Sequence, residues 1–377
     1  MTINNLKILT MKAKIHFGLI ALALLGLSGC AKETTLDQVN PDTPIAFDTY
    51  LGRAAQTKGY VADLTDLQNT GFGVYAFYTH TTPYETFQDG SKGADYMVNE
   101  KLTYSGGLWS YEPVKYWPNN TGDKVSFFAY APYFDGTASD VNITSVAANS
   151  VNGDPVIAFS VAKDVNKQVD LLYAALPDQN KPNTSAKTTF NFKHALSRVA
   201  FKAQAVVDVV NTETDGTSPD DNMALGTIAE GTTITVNSII LTGNFNTAGK
   251  LNITDGKWDA SSSSMAYTIS GAQLAEKNVT VNPVQLNAVT DYMMLIPGVF
   301  NGVTVTVNYT VETVDDALAS GKSSIVNNIT SQPFDITFEQ GKAYSFVLHL
   351  GLNSVKLSAE VSGWGDETTI VTNVPLN

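Results

Sequence analysis

Short runs in which apolar and polar residues alternate recur throughout this chain, and they limit its fold more than any other feature. Alternation with a period of two is typical of β-strands with one buried face, whereas helical spacing is almost absent. Gly, Asn, Asp and Pro separate the runs at intervals typical of β-sandwiches, and each half of the chain contains about seven such runs. We therefore predict an all-β protein with two β-sandwiches in tandem. The lack of alternating helices disfavours a parallel α/β sheet.

The boundary between the two sandwiches is best placed in a polar segment, residues 178–188, which contains Pro182. This position predicts an amino-terminal domain of residues 45–188 and a carboxyl-terminal domain of residues 189–377. Residues 211–222 are equally polar, and we interpret them as a long hairpin loop inside the second domain. The boundary could also lie in that second segment.

The first residues have the composition of an export signal. Lys7, Lys12 and Lys14 precede an apolar run at residues 17–27, which is too short for a membrane-spanning helix. The run ends in Leu27-Ser28-Gly29-Cys30, where small residues directly precede a cysteine. This pattern predicts a lipoprotein signal peptide at residues 1–29, acylation of Cys30, and a flexible tether at residues 30–44. The alternative is an ordinary secretory signal whose cleavage site happens to precede a cysteine.

Charge and cysteine content exclude several classes of partner and site. The formal net charge of −13 argues against nucleic acid or an anionic lipid surface as a partner. Cys30 is the only cysteine, so the chain can form no internal disulfide and no cysteine-based metal cluster. Stability must therefore come from the burial of a large apolar core.

The strand-like stretch at residues 43–53 has an unusual ending. Its alternating apolar positions are Ile45, Phe47 and Leu51. The pattern stops at Gly52 and Arg53, where a basic residue directly follows a half-buried strand. Two interpretations are open: a first strand followed by a loop, or a strand that is removed by proteolytic cleavage after Arg53.

A second alternating stretch lies near the carboxyl terminus, within residues 354–377. Its apolar positions are Val355, Leu357, Ala359 and Val361. This stretch is either the last strand of its own sandwich or a donor strand that lies in the sheet of another chain. An extended segment can join an open sheet through main-chain hydrogen bonds while its alternate side chains fill a groove.

The chain lacks the patterns that usually indicate catalysis or metal binding. Its four histidines have no metal-ligand spacing, and nucleophile, phosphate-loop and dinucleotide motifs are absent. His194 lies in an alternating stretch near Arg198, so we interpret it as a hydrogen-bonded structural residue. We predict a protein that is not an enzyme and needs no cofactor or metal.

Aromatic residues cluster between residues 109 and 117. Core and inter-sheet packing is the commoner use of such residues. Trp109 and Trp117 could alternatively stack on sugar rings, since aromatic faces are good platforms for them. A glycan-binding surface is therefore the second interpretation of this cluster.

Several short motifs, taken in order, resemble the fimbrillin family of Bacteroidales, the subunits of lipoprotein-derived fimbriae. In the first half the motifs are Leu27-Ser28-Gly29-Cys30, the stretch from Ile45-Ala46-Phe47 to Arg53, Gly71-Phe72-Gly73-Val74-Tyr75, Pro113-Val114-Lys115-Tyr116-Trp117-Pro118, the run from Asp123-Lys124-Val125 to Ala131-Pro132, and Asp170-Leu171-Leu172-Tyr173-Ala174. In the second half they are the run from Phe192-Lys193-His194 to Arg198-Val199, Met294-Leu295-Ile296-Pro297, and Gly341-Lys342-Ala343-Tyr344. The resemblance covers essentially the whole chain.

The resemblance implies a fold of two transthyretin-like β-sandwich domains and a route of assembly. Such subunits reach the cell outer membrane as lipoproteins, and an arginine-specific protease then removes the tether and first strand. The groove that this exposes accepts a carboxyl-terminal strand from the next subunit, so that a fimbrium grows on the cell surface.

Carried onto this sequence, the resemblance assigns a role to each of the two alternating stretches. Arg53 is the expected cleavage site, and the expected plug residues are Ile45, Phe47 and Leu51. The expected donor residues are Val355, Leu357, Ala359 and Val361. The implied partners are other fimbrial subunits, the protease, the outer-membrane lipid around Cys30, and a host or bacterial surface ligand.

The leading prediction is a shaft or tip subunit of a fimbrium that mediates cell adhesion. Two alternatives stay open. The first is a monomeric outer-membrane lipoprotein that binds surface or host glycans through Trp109 and Trp117. The second is an anchor subunit that keeps its first strand.

Overall fold

A computed structural model describes residues 42–51, 63–87, 93–137, 142–148, 153–183, 186–206, 231–287, 292–352, 355–364 and 374–376. Strands dominate these residues, as the alternating pattern predicts, and the all-β fold class is confirmed. Helices in the described residues are short: α1 (Leu64–Thr70), α2 (Tyr84–Phe87), and 3-10 turns at Val165–Lys167 and Gly271–Gln273. The predicted signal peptide, Cys30 and Arg53 lie outside the described residues.

The strands follow one another through the whole described chain. In the first half they are β1 (Phe47–Leu51), β2 (Phe72–His80), β3 (Met97–Ser105), β4 (Leu108–Ser110), β5 (Lys124–Ala131), β6 (Ile143–Ala148), β7 (Pro155–Ser160) and β8 (Leu172–Asn180). Next come β9 (Thr188–His194), β10 (Ser197–Ala205), β11 (Thr232–Asn252), β12 (Trp258–Ser270), β13 (Asn278–Val279), β14 (Val284–Gln285) and β15 (Met293–Leu295). The last are β16 (Gly298–Val314), β17 (Lys322–Thr330), β18 (Phe334–Phe338), β19 (Lys342–Leu350), β20 (Val355–Gly363) and β21 (Val374–Leu376).

These strands form three sheets. The first has seven strands in the order β1-β9-β8-β5-β2-β3-β4. The second has six strands and contains β14-β10-β19-β20-β21, with β15 also paired to β10. The third has eight strands, contains β17-β16-β11-β7-β6, and adds β12 and β13 beside β11 and β18 beside β16.

Strand β5 shows how one sheet separates two apolar cores. Its sequence is apolar at nearly every position, which predicts a strand covered on both faces. Phe127 faces a core that includes β1, and the next residue, Phe128, faces a larger core shared with the second and third sheets. Both side chains are buried, so the prediction for β5 is confirmed.

The third sheet contains strands from both sides of residues 178–188. Strand β7 pairs antiparallel with β11 along Val156 to Ser160, and β6 pairs with β7. The larger core likewise contains residues from both halves of the chain, among them Phe159 and Phe245. A shared sheet therefore ties the two halves together, and the boundary between residues 188 and 189 stays a prediction.

Helix α1, which directly precedes β2, begins with a capping box formed by Asp63 and Asp66. The Asp63 carboxylate accepts a hydrogen bond from the Asp66 amide at 2.8 Å, and the Asp66 carboxylate accepts one from the Asp63 amide at 3.3 Å. Together they satisfy amide groups that the first helical turn leaves without partners. The helix then places Leu67 in the core that includes β1.

Loss of this cap should lower the stability of the protein by a moderate amount. We expect Asp63→Ala to lower the free energy of unfolding by about 1 kcal/mol, because an N-cap acceptor is removed. Urea denaturation monitored by tryptophan fluorescence measures this change. Asp63→Asn keeps an acceptor and should stay close to the wild type; an equal loss in both variants would contradict the capping role.

Candidate functional site

Strand β1 lies at one edge of the first sheet, in a groove made by residues distant in sequence. It pairs in parallel with β9, with Phe47 opposite Thr188 and Leu51 opposite Phe192. Upstream of β1, the Ile45 amide donates to the Lys115 carbonyl at 2.8 Å, and the Trp117 amide donates to the Thr43 carbonyl at 2.9 Å. The chain from Thr43 to Leu51 is thus held by main-chain hydrogen bonds along its length.

The side chains of this stretch divide as the alternation predicts. Ile45 and Phe47 are each 2% exposed and Leu51 is 8% exposed, whereas Tyr50 on the opposite face is 55% exposed. The predicted burial of the three apolar residues is confirmed. Their role as a plug depends on removal of the strand.

Phe47 occupies the centre of an aromatic pocket. Its ring stacks on Phe190 with centroids 5.2 Å apart, and it meets Phe127 edge-to-face at 5.3 Å. Tyr111 closes the third side at 5.7 Å. Aromatic contacts of this geometry add to the free energy of burial itself, so Phe47 is the main anchor of β1.

Two side chains, one in β4 at the opposite edge of the first sheet and one directly after β4, reach across to the stretch that contains β1. The Tyr111 hydroxyl donates to the Ile45 carbonyl at 2.9 Å, and the Trp109 indole N–H donates to the Thr49 hydroxyl at 3.1 Å. Burial raises the pKa of Tyr111 to about 12, so this hydroxyl remains a donor into the alkaline range. Because Trp109 belongs to β4, the two edges of the first sheet approach each other around the core.

A cavity opens at the carboxyl end of β1. Its volume is about 350 Å3, and Leu51, Phe192 and Trp364 are among the residues that line it. The two ends of β1 therefore differ. Phe47 fills a closed aromatic pocket, whereas Leu51 borders unfilled space.

His194 supports the same region and has a structural role. Its Nδ1 lies 2.7 Å from the Asp170 carboxylate, and its ring stacks on Trp364 with centroids 4.1 Å apart. The guanidinium of Arg198 lies over the ring of Tyr292 at 4.3 Å. The interpretation of His194 as a hydrogen-bonded residue is confirmed.

The predicted donor residues lie in β20, which pairs antiparallel with β19 over its whole length. Leu357 and Ala359 are buried, and Val355 and Val361 are partly buried against the larger core. The alternation is therefore real, but in this chain it faces the chain's own core. After β20 the described residues include one further strand, the short β21, which pairs with β20 at the sheet edge.

The structure does not bring Trp109 and Trp117 together as an exposed stacking surface. Trp117 is 3% exposed and meets Phe127 edge-to-face at 5.7 Å. Trp109 is half-buried, with its ring 4.7 Å from that of Phe72. Both indoles pack in the core around β1, which is the commoner use that the sequence indicates for them.

The described residues contain no cluster of three or more His, Cys, Asp or Glu arranged to hold a metal ion. In the same part of the chain, no helix has the length and apolar composition needed to cross a membrane.

Comparison with known proteins identifies the group to which this fold belongs. The family model described as fimbrillin-like matches residues 61–364, which is well over half of the chain. The chain belongs to the fimbrillin-like family. The resemblance seen in the ordered sequence motifs is thereby confirmed.

Two known proteins are similar to this fimbrillin-like chain over most of its length. The fimbrium subunit Fim1C of Phocaeicola vulgatus is 26% identical over 393 residues, covering 94% of this chain and 98% of that protein. The crystal structure of a fimbrial protein from Bacteroides vulgatus superimposes with a TM-score of 0.65 at 22% identity, covering 85% of this chain and 99% of that one. The second comparison shows that the fold is shared.

Sequence reasoning missed one part of the β1 groove of this fimbrillin-like chain. The segment from Lys115 to Trp117 pairs with Thr43 and Ile45, and Pro44 forms a bridge with Tyr116. The aromatic run that ends at Pro118 indicates that this segment is ordered. It does not indicate which other segment of the chain it pairs with.

Proposed function

We propose that this fimbrillin-like chain is a structural subunit of a cell-surface fimbrium that functions in cell adhesion, and that β1 is a temporary strand removed before assembly. The observation that carries this proposal is the placement of β1. It is a short edge strand whose buried side chains fill a groove made by distant residues, and Arg53 lies two residues after its end in the sequence.

The energetics of the groove suit a strand that is exchanged. The loss of β1 uncovers a few hundred Å2 of apolar surface, worth several kcal/mol at ~25 cal/mol per Å2. Open sheet edges of this kind invite uncontrolled association. A strand that stays in place until the protein is outside the cell delays assembly until export is complete.

The remaining steps extend the proposal to the ends of the chain. Acylation of Cys30 anchors the exported chain in the outer membrane, and an arginine-specific protease cuts after Arg53. The partners are then other fimbrial subunits, with a host or bacterial surface ligand for the finished fimbrium. In this role the chain is a structural protein and not an enzyme.

The donor strand is assigned to residues 354–377 with one refinement. Withdrawal of β20 would uncover Leu357 and Ala359 in the chain's own core and would break the whole ladder to β19. We therefore propose that the part of this segment after Trp364 is the part that leaves. Its sequence contains a second short β-prone run, in which Ile370, Thr372, Val374 and Leu376 are spaced two residues apart.

Cleavage after Arg53 is tested on the cell surface. We expect the fimbrial form of the wild-type chain to begin at Ala54 by amino-terminal sequencing and to run as a high-mass ladder in unheated detergent gels. Arg53→Ala should leave the chain at monomer mass, because an arginine-specific protease has no site there.

Arg53→Lys is the matched control, since it keeps the charge but removes the arginine. Surface display followed by added trypsin should restore the ladder in Arg53→Lys, and not in a variant that combines Arg53→Ala with Lys58→Ala and so also lacks the neighbouring tryptic site. A ladder of unchanged strength in untreated Arg53→Ala would overturn the proposed role of β1. A mature surface form that still begins at Cys30 would instead indicate an uncleaved anchor subunit.

A further inference from the structure

We propose that the β1 groove, once emptied, is filled by a strand from a different subunit, one with an aromatic residue at the Phe47 position and a hydrogen-bond acceptor at the Thr49 position. The carboxyl-terminal strand of a second copy of this chain does not fit it. This inference rests on the proposed function, because it concerns what replaces β1.

The first requirement comes from the pocket around Phe47. Three rings, those of Phe190, Phe127 and Tyr111, lie within 5.2 to 5.7 Å of the Phe47 ring, which is 2% exposed. A smaller side chain at this position leaves a void between close-packed rings, and such voids are strongly unfavourable. The pocket therefore selects for an aromatic side chain.

The second requirement comes from Trp109. Its indole N–H is a donor only, and its partner is the hydroxyl of Thr49 at 3.1 Å. An occupant with a hydrocarbon side chain at this position removes the acceptor. A Ser, Thr or Asn in the incoming strand keeps it.

The groove is less selective at its other positions. The Tyr111 hydroxyl donates to the main-chain carbonyl of Ile45, which any residue supplies. Leu51 borders the cavity of about 350 Å3, so a larger side chain has room there. The Ile45 position is also buried and calls for an apolar side chain, so the requirements for a ring and for an acceptor lie at the positions of Phe47 and Thr49.

In the register that repeats the spacing of β1, the carboxyl-terminal sequence of this chain meets neither requirement. Its alternating positions Ile370, Thr372, Val374 and Leu376 repeat the spacing of Ile45, Phe47, Thr49 and Leu51. In that register Thr372 takes the place of Phe47 and Val374 takes the place of Thr49. The pocket is then underfilled, and Trp109 loses its acceptor.

A shift of two residues places Thr372 at the Thr49 position and restores the acceptor, but it places Ile370 at the Phe47 position, so the aromatic requirement is still not met. Between residues 351 and 377 the only aromatic residue is Trp364. Two positions away on either side lie Ser362 and Asp366, so Trp364 does not belong to an alternating apolar run. In this chain it is also 8% exposed and stacked on His194.

Peptide binding to the processed chain tests the inference directly. The full-length protein is cleaved after Arg53, the released fragment is removed, and two synthetic peptides are titrated by calorimetry: residues 43–53 and residues 368–377. We expect the second peptide to bind about 100-fold more weakly or worse, the order expected for an unfilled aromatic pocket. A peptide of residues 368–377 that carries Thr372→Phe and Val374→Thr should recover most of that difference.

A substitution at the tolerant position serves as the control. Leu376→Phe in the peptide of residues 368–377 should change its affinity by about threefold or less, because the cavity accepts the larger ring. Equal affinity of the unaltered peptide and the peptide of residues 43–53 would overturn the inference and leave the proposed function intact. A processed chain that does not bind the peptide of residues 43–53 would overturn both.

Self-assembly of the purified protein provides a second readout. The processed wild-type chain, with no other subunit present, should stay monomeric by size-exclusion chromatography. The full-length variant with Thr372→Phe and Val374→Thr should form detergent-resistant ladders after the same cleavage. Ladders formed equally well by the wild-type chain alone would contradict the proposal.

Discussion

Replacement of Phe47 by alanine should lower the free energy of unfolding by about 3–5 kcal/mol, the range for truncating a buried phenylalanine. The ring is 2% exposed and touches three other aromatic rings, so its removal leaves a large void in the core around β1. Urea denaturation of the unprocessed protein measures the loss.

Tyr50→Ala is the matched control for Phe47→Ala, since it removes an aromatic ring from the same strand. Tyr50 is 55% exposed on the solvent face, so we expect a change within about 0.5 kcal/mol. Similar losses in the two variants would show that the strand, and not the pocket, determines the effect. In that case Phe47 would lose its place as the anchor of β1.

Gly71→Ala should destabilise the protein by about 2–5 kcal/mol, because backbone strain and overpacking combine there. Gly71 ends helix α1 with φ 71° and ψ 179°, a region open essentially to glycine alone. A Cβ at this position would also lie 2.4 Å from the Leu102 carbonyl oxygen. Thermal and urea denaturation measure the loss.

Gly106→Ala separates the two contributions. Gly106 also has a positive φ, of 59°, but a Cβ there would meet no atom within 4 Å. We therefore expect this variant to lose about 1 kcal/mol, from backbone strain alone. If Gly71→Ala and Gly106→Ala lose the same stability, the Leu102 carbonyl moves aside at no cost and overpacking makes no contribution.

The local pattern of this fold could be predicted from sequence because strand periodicity is a local property. Ile45 and Phe47 point inward for the same reason that Tyr50 points outward, namely that successive side chains leave opposite faces of a strand. The burial of both faces of β5 could be predicted in the same way, since almost every position of this strand is apolar.

What could not be predicted is which distant segments meet. The pairing of Thr43 and Ile45 with Lys115 and Trp117, and that of β7 with β11, depend on long-range packing that no local pattern encodes. For the same reason the sequence could not distinguish a buried Trp117 from an exposed one.

The donor residues illustrate this limit most clearly. Alternation at Leu357 and Ala359 shows that one face of the strand is buried. It does not show whether the core beneath belongs to the same chain or to another. In this chain the ladder between β19 and β20 places Leu357 and Ala359 over the chain's own core.

The parallel pairing of β1 with β9 also sets a direction. A strand that reproduces the same main-chain hydrogen bonds has to run the same way as β1, because parallel and antiparallel ladders place donors and acceptors differently. Each subunit in a chain of such insertions then contacts the next head to tail, and contacts of this kind build a filament wherever the rotation between subunits does not close a ring. A filament built in this way has two chemically different ends, one with an empty groove and one with an unused strand.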